Sequence, residues 1–201
     1  MLIRDCVFTG IDFESAGAER GRTDVPVQIG LANWSVEKGF HSPWMSYLYT
    51  DQEITWGAQR VHGITTEDLK DAPQFLTLWP ELRDRLGGNV LCAHACGTEK
   101  RFLRTFPGHG FGPWVDTLNI SKAGFPSLRK HNLGASSEHA GIVSELDTQI
   151  PDRSWHDALY DAAASVLLLA NYVTTHGLED QHLEHLTHPD RSNYRRLRRN
   201  A

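Results

Sequence analysis

The sequence predicts a mixed α/β fold, a five-stranded sheet with helices on its faces. Three observations carry this. Three β-branched and aromatic segments follow one another early in the chain, strand-like and helix-like segments then alternate, and the longest apolar segment, near the C-terminus, has helical character. A β-meander followed by strand–helix alternation is the pattern of a sheet covered by helices.

The first strand is "CVFTGIDFE", Cys6 to Glu14, followed by the polar, glycine-containing "SAGAERGRTD". "VPVQIGLANW", Val25 to Trp34, is the second, and "EKG" makes a tight connection to a third in "FHSPWMSYLY". Pro43 demotes that third strand toward an edge, because it cannot donate to a ladder. From Thr65 the period changes. A capping-box-like Thr65/Asp68 pair leads into apolar residues at helical spacing, Phe75, Leu78, Leu82 and Leu86, closed by two glycines. "NVLCAHA" is the fourth strand, "TEKRFLRTF" a helix and "WVDTL" a short fifth strand. The clearest helix is "HDALYDAAASVLLLANYVTTHG", His156 to Gly177, ending in a C-terminal glycine.

At 201 residues the chain suits one domain able to bury a full core. We divide it into a domain over 1–176 and a polar, basic C-terminal helix or tail over 177–201. A formal charge of −5 argues against holding nucleic acid by bulk electrostatics, although clustered carboxylates lower such a count by themselves. The three cysteines, Cys6, Cys92 and Cys96, lack the second ligand pair of a zinc ribbon and read as reduced thiols. No run approaches the roughly 18 apolar residues of a membrane span, and the N-terminus lacks a signal-peptide core. A cytoplasmic protein without a membrane partner is expected.

Asp12 and Glu14 stand two apart at the end of the first strand, so both point to one face, roughly 6 to 7 Å apart along the backbone. They could hold one hard cation, or be ordinary solvated strand-end charges. Asp157 and Asp161 are one helical turn apart at the start of an almost wholly apolar helix. An acid there needs a partner, either a cation shared with Asp12 and Glu14 or an arginine such as Arg129 or Arg153. Asp157 suits the helix cap. Glu99 stands where the fourth strand hands over to a helix, a position favoured either by the helix dipole or by a metal cage. Together Asp12, Glu14, Glu99 and Asp161 would be four acids. Two divalent ions about 4 Å apart, held by carboxylates, are the usual apparatus for in-line phosphodiester cleavage. Oxygen ligands favour Mg²⁺ or Mn²⁺. His156 would serve as general base, since a free imidazole pKa of roughly 6.5 suits proton transfer near neutrality.

The order "IDFE", "VHGIT", "AHACGTEKRFL", "HDALYDA" resembles the three motifs of the DEDDh 3′–5′ exonucleases, whose fold is ribonuclease H-like. The resemblance runs from about Arg4 to Tyr172. It implies that Asp12 bridges two metals, that Glu14 and Asp161 are further ligands and that His156 is the base. It also implies that Phe13, His62, Gly63 and Ile64 lie against the terminal nucleotide, and that Asp116 in "WVDTL" is not a catalytic acid. The implied substrate is the 3′ end of single-stranded DNA or RNA, with release of nucleoside 5′-monophosphates. A polymerase complex and a homodimer both occur among such proteins; with no long extension to act as a tether, free-standing processing or repair is the expectation.

The middle motif departs from the family. Ala95 stands for the usual Asn, Thr98 for Phe and Glu99 for Asp, and no aspartate lies between Asp84 and Asp116. Glutamate is one methylene longer and can still reach a metal directly or through water. The competing expectation is a catalytically weak binding module for nucleic acid or a polymerase partner. Other features rank lower. His182, His185 and His188 could bind a metal but better fit a solvated helix face, His94 fits a packed strand end, and "RRLRR" could touch phosphates or be a disordered tail. The six tryptophans share no spacing; Trp56 or Trp155 could stack on a base, but spacing does not favour it.

Overall fold

The computed structural model describes residues 1–18, 21 and 23–188. Five strands, β1 (Phe8–Ser15), β2 (Pro26–Ser35), β3 (Gly39–Tyr47), β4 (Val90–Ala93) and β5 (Trp114–Asp116), form one sheet in the order β3-β2-β1-β4-β5. β1, β2 and β3 pair antiparallel, as the meander predicts, while β4 and β5 run parallel to β1. Pro43 falls in the edge strand β3, where a missing N–H can face away from the ladder.

The helices are α1 (Trp56–His62), α2 (Thr66–Leu69), α3 (Trp79–Leu86), α4 (Gly97–Leu103), α5 (Thr117–Gly124), α6 (Leu133–Ala140), α7 (Val143–Gln149), α8 (Ala158–Thr175) and α9 (Glu184–Thr187). The strand pleat sorts side chains between two cores. On one face Phe8, Trp34, Val90 and Cys92 pack with α8 residues such as Val166 and Leu167. On the other, Ile11, Phe13, Ile29 and Leu91 pack with Leu82 and Leu86 of α3 and Phe102 of α4.

Two glycines set how closely α8 lies on the sheet. A Cβ at Gly10 would sit 2.2 Å from the Ala162 carbonyl oxygen, and one at Gly30 would sit 2.1 Å from that of Ala158. Any side chain on β1 or β2 at these points would lift the helix away. Ala158 and Ala162 keep the helix side of this contact equally thin.

The helical segment from Thr65 is interrupted. The capping box forms as expected, with Thr65 and Asp68 bonding each other's backbone N–H, but α2 ends at Leu69. Pro73 disfavours helical backbone at Ala72, and the periodic residues resume in a 3-10 turn at Phe75–Leu78 before α3. α1 carried no periodic signal because it buries none of its residues.

Cys6, Cys92 and Cys96 are free and buried. Leu178, Leu183 and Leu186, beyond residue 176, are buried in the α8 core, and Leu2 bridges to His182. The basic tail expected from Ser192 lies outside the described residues. Among the described residues no helix is long and apolar enough to cross a membrane.

Candidate active site

The site forms at the C-terminal ends of the parallel strands. β4 pairs with β1 only from Phe8 to Gly10, so β1 runs on alone past Gly10 on that side. Asp12 and Glu14 lie on this extension, opposite Gly30 and Gln28 of β2. The chain leaving β4 turns through Ala95 in left-handed conformation (φ 68°) and enters α4, whose first turn carries Glu99. Asp116 braces that turn: its Oδ1 accepts from Ala95 N–H and Leu118 N–H, each at 3.0 Å.

α8 supplies the rest. Asp157 is its N-cap, with Oδ1 accepting from Leu159 N–H at 3.0 Å and Tyr160 N–H at 3.3 Å. Arg153 pairs with the other Asp157 oxygen rather than with Asp161. His156, just before the cap, takes a left-handed conformation (φ 70°). Its backbone N–H donates to Asp161 Oδ2 at 3.3 Å. Ligand atoms of Glu14, His156 and Asp161 all lie within 4.8 Å of one another.

Asp12, Glu14, Glu99 and Asp161 are held above the usual carboxylate range. Asp12 is raised well above it, by burial first and then by Asp161, Glu99 and Glu14. Burial, then Asp161 and Asp157, raise Glu14 to about 8. Asp161 is raised to about 7 because burial, with repulsion from Asp157, outweighs the bond from His156. Glu99, 4% exposed, is raised to about 7 by burial, against the pull of its own backbone N–H and with Asp116 adding repulsion. Glu99 lies in the first turn of α4 and close enough to Asp12 to raise it.

Asp161 Oδ1 and Glu99 Oε2 are buried without a protein donor. Acids that raise one another's pKa and leave buried oxygens unpartnered fit a site for hard divalent cations. Asp12, Glu14, Glu99 and Asp161 are the oxygen donors that could hold them.

The residues expected against a terminal nucleotide divide. Gly63 is exposed at the C-cap of α1. Ile64 is 5% exposed, and Phe13 is 6% exposed on the opposite sheet face, edge-on to Phe75 and Phe102. Ile64 N–H donates to His62 Nδ1 at 3.0 Å, so the proton is on Nε2, which donates to the Ser15 carbonyl at 3.1 Å. Burial keeps His62 below the usual histidine range, with His156 adding repulsion, against the Ser15 bond. His62 thereby ties α1 to the end of β1. A cavity of about 570 Å³ opens beside it, lined by Tyr47, His62, Arg153, Trp155 and His156 among others.

Sequence reasoning missed Gln28. It is 1% exposed, its Oε1 accepts from Ala158 N–H at 2.9 Å, and its Nε2 donates to Asp157 Oδ2 at 3.0 Å. A lone glutamine inside an apolar strand was the available signal, since a buried amide needs partners. His182, His185 and His188 line a separate cavity of about 290 Å³ with Glu184. Among the described residues they form no group of three converging ligand atoms.

Residues 9–169 match the family model of the RNase T type, described as exonuclease. The chain belongs to the DEDDh exonuclease family. This exonuclease is 26% identical over 182 residues to DNA polymerase III subunit epsilon of Aquifex aeolicus, covering 88% of the chain and 87% of that relative. It is 22% identical over 178 residues to exodeoxyribonuclease 10 of Escherichia coli, covering 88% and 73%. It also matches DNA polymerase III PolC-type of Oceanobacillus iheyensis at 30% over 116 residues, which is 53% of the chain and 7% of that much longer protein. In fold it is similar to exonuclease X in complex with 5′ overhanging duplex DNA, at TM-score 0.70 and 23% identity, over 90% of this chain and 99% of that one. The nuclease domain of 3′hExo bound to rAMP superposes at TM-score 0.68 and 15% identity, over 87% and 94%. The ribonuclease H-like fold follows, and 3′–5′ exonuclease function with divalent metal ions is general to the family.

Proposed function

We propose that this exonuclease removes nucleoside 5′-monophosphates from the 3′ end of single-stranded DNA or RNA, at a two-cation site formed by Asp12, Glu14, Glu99 and Asp161. The observation that carries this is the convergence of Glu14, His156 and Asp161 ligand atoms within 4.8 Å, beside half-buried Asp12 and buried Glu99. Mg²⁺ or Mn²⁺ held there would lower the pKa of a water and offset charge on the phosphoryl oxygens. His156 stands at the open side of the acids and takes the proton from the attacking water. Its left-handed backbone and the Asp157 cap hold the imidazole at that mouth. Asp12 would help the other three acids to hold the cations, while His62 and Gly63 border the terminal nucleotide, with Phe13 supporting the strand from below.

We further propose that the protein acts in the cytoplasm, alone or as a homodimer. The similarity to a polymerase III epsilon subunit supports association with a polymerase as one setting. A 5′-labelled oligonucleotide incubated with Mg²⁺ or Mn²⁺ should shorten stepwise from its 3′ end. Asp12→Ala should abolish this; equal cutting by that variant would assign the activity elsewhere. Absence of both turnover and calorimetric Mn²⁺ binding in the wild type would favour the non-catalytic binding module.

A further inference from the structure

Trp56 is the most exposed large apolar side chain among the described residues, at 74%. Single exposed apolar residues are ordinary, but three features set this one apart. Arg60, one turn later, places its guanidinium carbon 5.2 Å from the Trp56 ring centroid. An aromatic ring with a guanidinium on one side has chemistry for a nucleobase and an adjoining phosphate together. The indole is thereby also held by a neighbour while most of its surface stays open.

Position is the second feature. α1 is stitched at both ends to the two residues that follow Glu14. Thr55 N–H donates to the Ala16 carbonyl at 2.8 Å, and His62 holds the Ser15 carbonyl at 3.1 Å. Trp56 directly follows Thr55, so it stands at the end of α1 tied to Ala16, two residues beyond Glu14, while His62 at the other end lines the cavity with His156. The helix spans about 10 Å, the length of two or three stacked nucleotides at about 3.4 Å each.

The third feature is charge. With a formal net charge of −5 and four acids at its centre, the protein has little long-range attraction for a polyanion. Local contacts must therefore hold the strand. Base stacking on an aromatic side chain is tolerant of sequence and needs no net charge.

We infer that Trp56 and Arg60 form a platform for a nucleobase and phosphate of the single-stranded substrate, upstream of its 3′-terminal nucleotide. This deepens the exonuclease reading and rests on it for the direction of the strand. A nucleic-acid strand is favoured over a protein partner because the platform shares its helix with His62, which lines the cavity beside His156, and pairs its ring with a cation.

Binding and turnover test it separately. Fluorescein-labelled dT12 and rU12 are titrated with the full chain in Ca²⁺ and followed by anisotropy. Trp56→Ala and Arg60→Ala should each bind about tenfold more weakly, whereas Trp56→Phe should stay within about threefold of wild type. In Mn²⁺, the ratio of wild-type to Trp56→Ala kcat/KM should grow with substrate length from dT2 to dT6 and then level off. Wild-type affinity of Trp56→Ala for both oligonucleotides, or a ratio independent of length, overturns the platform and leaves the ring to a protein partner. A wild type that binds with the predicted Trp56 dependence yet never cuts would uphold the platform and sink the exonuclease reading.

Discussion

Gln28 Nε2 donates to Asp157 Oδ2 at 3.0 Å, joining the start of β2 to the cap of α8. The same amide accepts from Ala158 N–H, so one buried side chain occupies two groups at the helix start. His156 immediately precedes this clamp and Asp161 follows it by one turn. Replacing Gln28 with Leu should leave Asp157 and Ala158 N–H short of a partner and cost about 1–3 kcal/mol of stability. The first turn of α8 would loosen, and kcat should fall more than tenfold with a smaller change in KM. Denaturant melts and steady-state kinetics on one oligonucleotide check both parts. Gln28→Glu should not rescue, since a carboxylate has no donor for Asp157.

Gly30 and Gly10 bring α8 backbone against the sheet, which is how Asp161 reaches Asp12. Gly30→Ala should destabilise the protein by about 1–3 kcal/mol through forced displacement of the helix. Because that displacement separates the acids, Mn²⁺ affinity should fall as well. Isothermal titration of Mn²⁺ into a variant still folded at low temperature is the measurement. Unchanged affinity would show that the cluster tolerates movement of α8.

The acids predict a stability that falls with pH in metal-free protein. Glu14 at about 8 and Asp161 and Glu99 at about 7 all exceed their unfolded values near 4. Between about pH 4 and 8 the folded chain therefore binds more protons than the unfolded chain, and rising pH removes stability. Below that window the contribution is fully present. Urea melts in EDTA should lose at least about 2 kcal/mol between pH 5 and pH 8.5. Added Mn²⁺ should offset most of the loss, because a cation stabilises the ionised acids.

Glu99 separates activity from stability. Glu99→Gln removes a buried charge, so metal-free protein at pH 8 should gain about 1 kcal/mol or more. The same change should lower kcat on an oligonucleotide about 100-fold by removing one oxygen donor. Glu99→Asp shortens the reach by one methylene and should retain more activity than Glu99→Gln. Equal loss in both variants would mean that position rather than charge decides.

Most of the fold was legible because its signals are local. The β-rich meander, the strand–helix alternation and the alanine-rich α8 follow from period and composition. The Asp157 cap, the Thr65/Asp68 box and the acids on one side of β1 depend on spacing along a single element, which the chain itself records. Three things escaped. α1 buries nothing and so has no periodicity, Pro73 broke a helix whose apolar spacing continued across it, and Gln28 looked like any polar residue in a strand. The bare face of α1 and the partners of Gln28 depend on what lies across space, whereas the Pro73 break was a local signal that the apolar spacing masked.

By itself, the sequence determined which residues could meet: acids at the end of β1, at the start of α4 and one turn into α8, with a histidine beside the last. Only the tertiary structure decided that they do meet. Two glycines let α8 touch β1 and β2, a short β4 leaves the end of β1 open to Glu99, and a buried amide seats the helix start. These are contacts between segments far apart in the chain, 130 positions for Gln28 and Ala158. Periodicity cannot encode such distances, whereas close packing of backbone on backbone can.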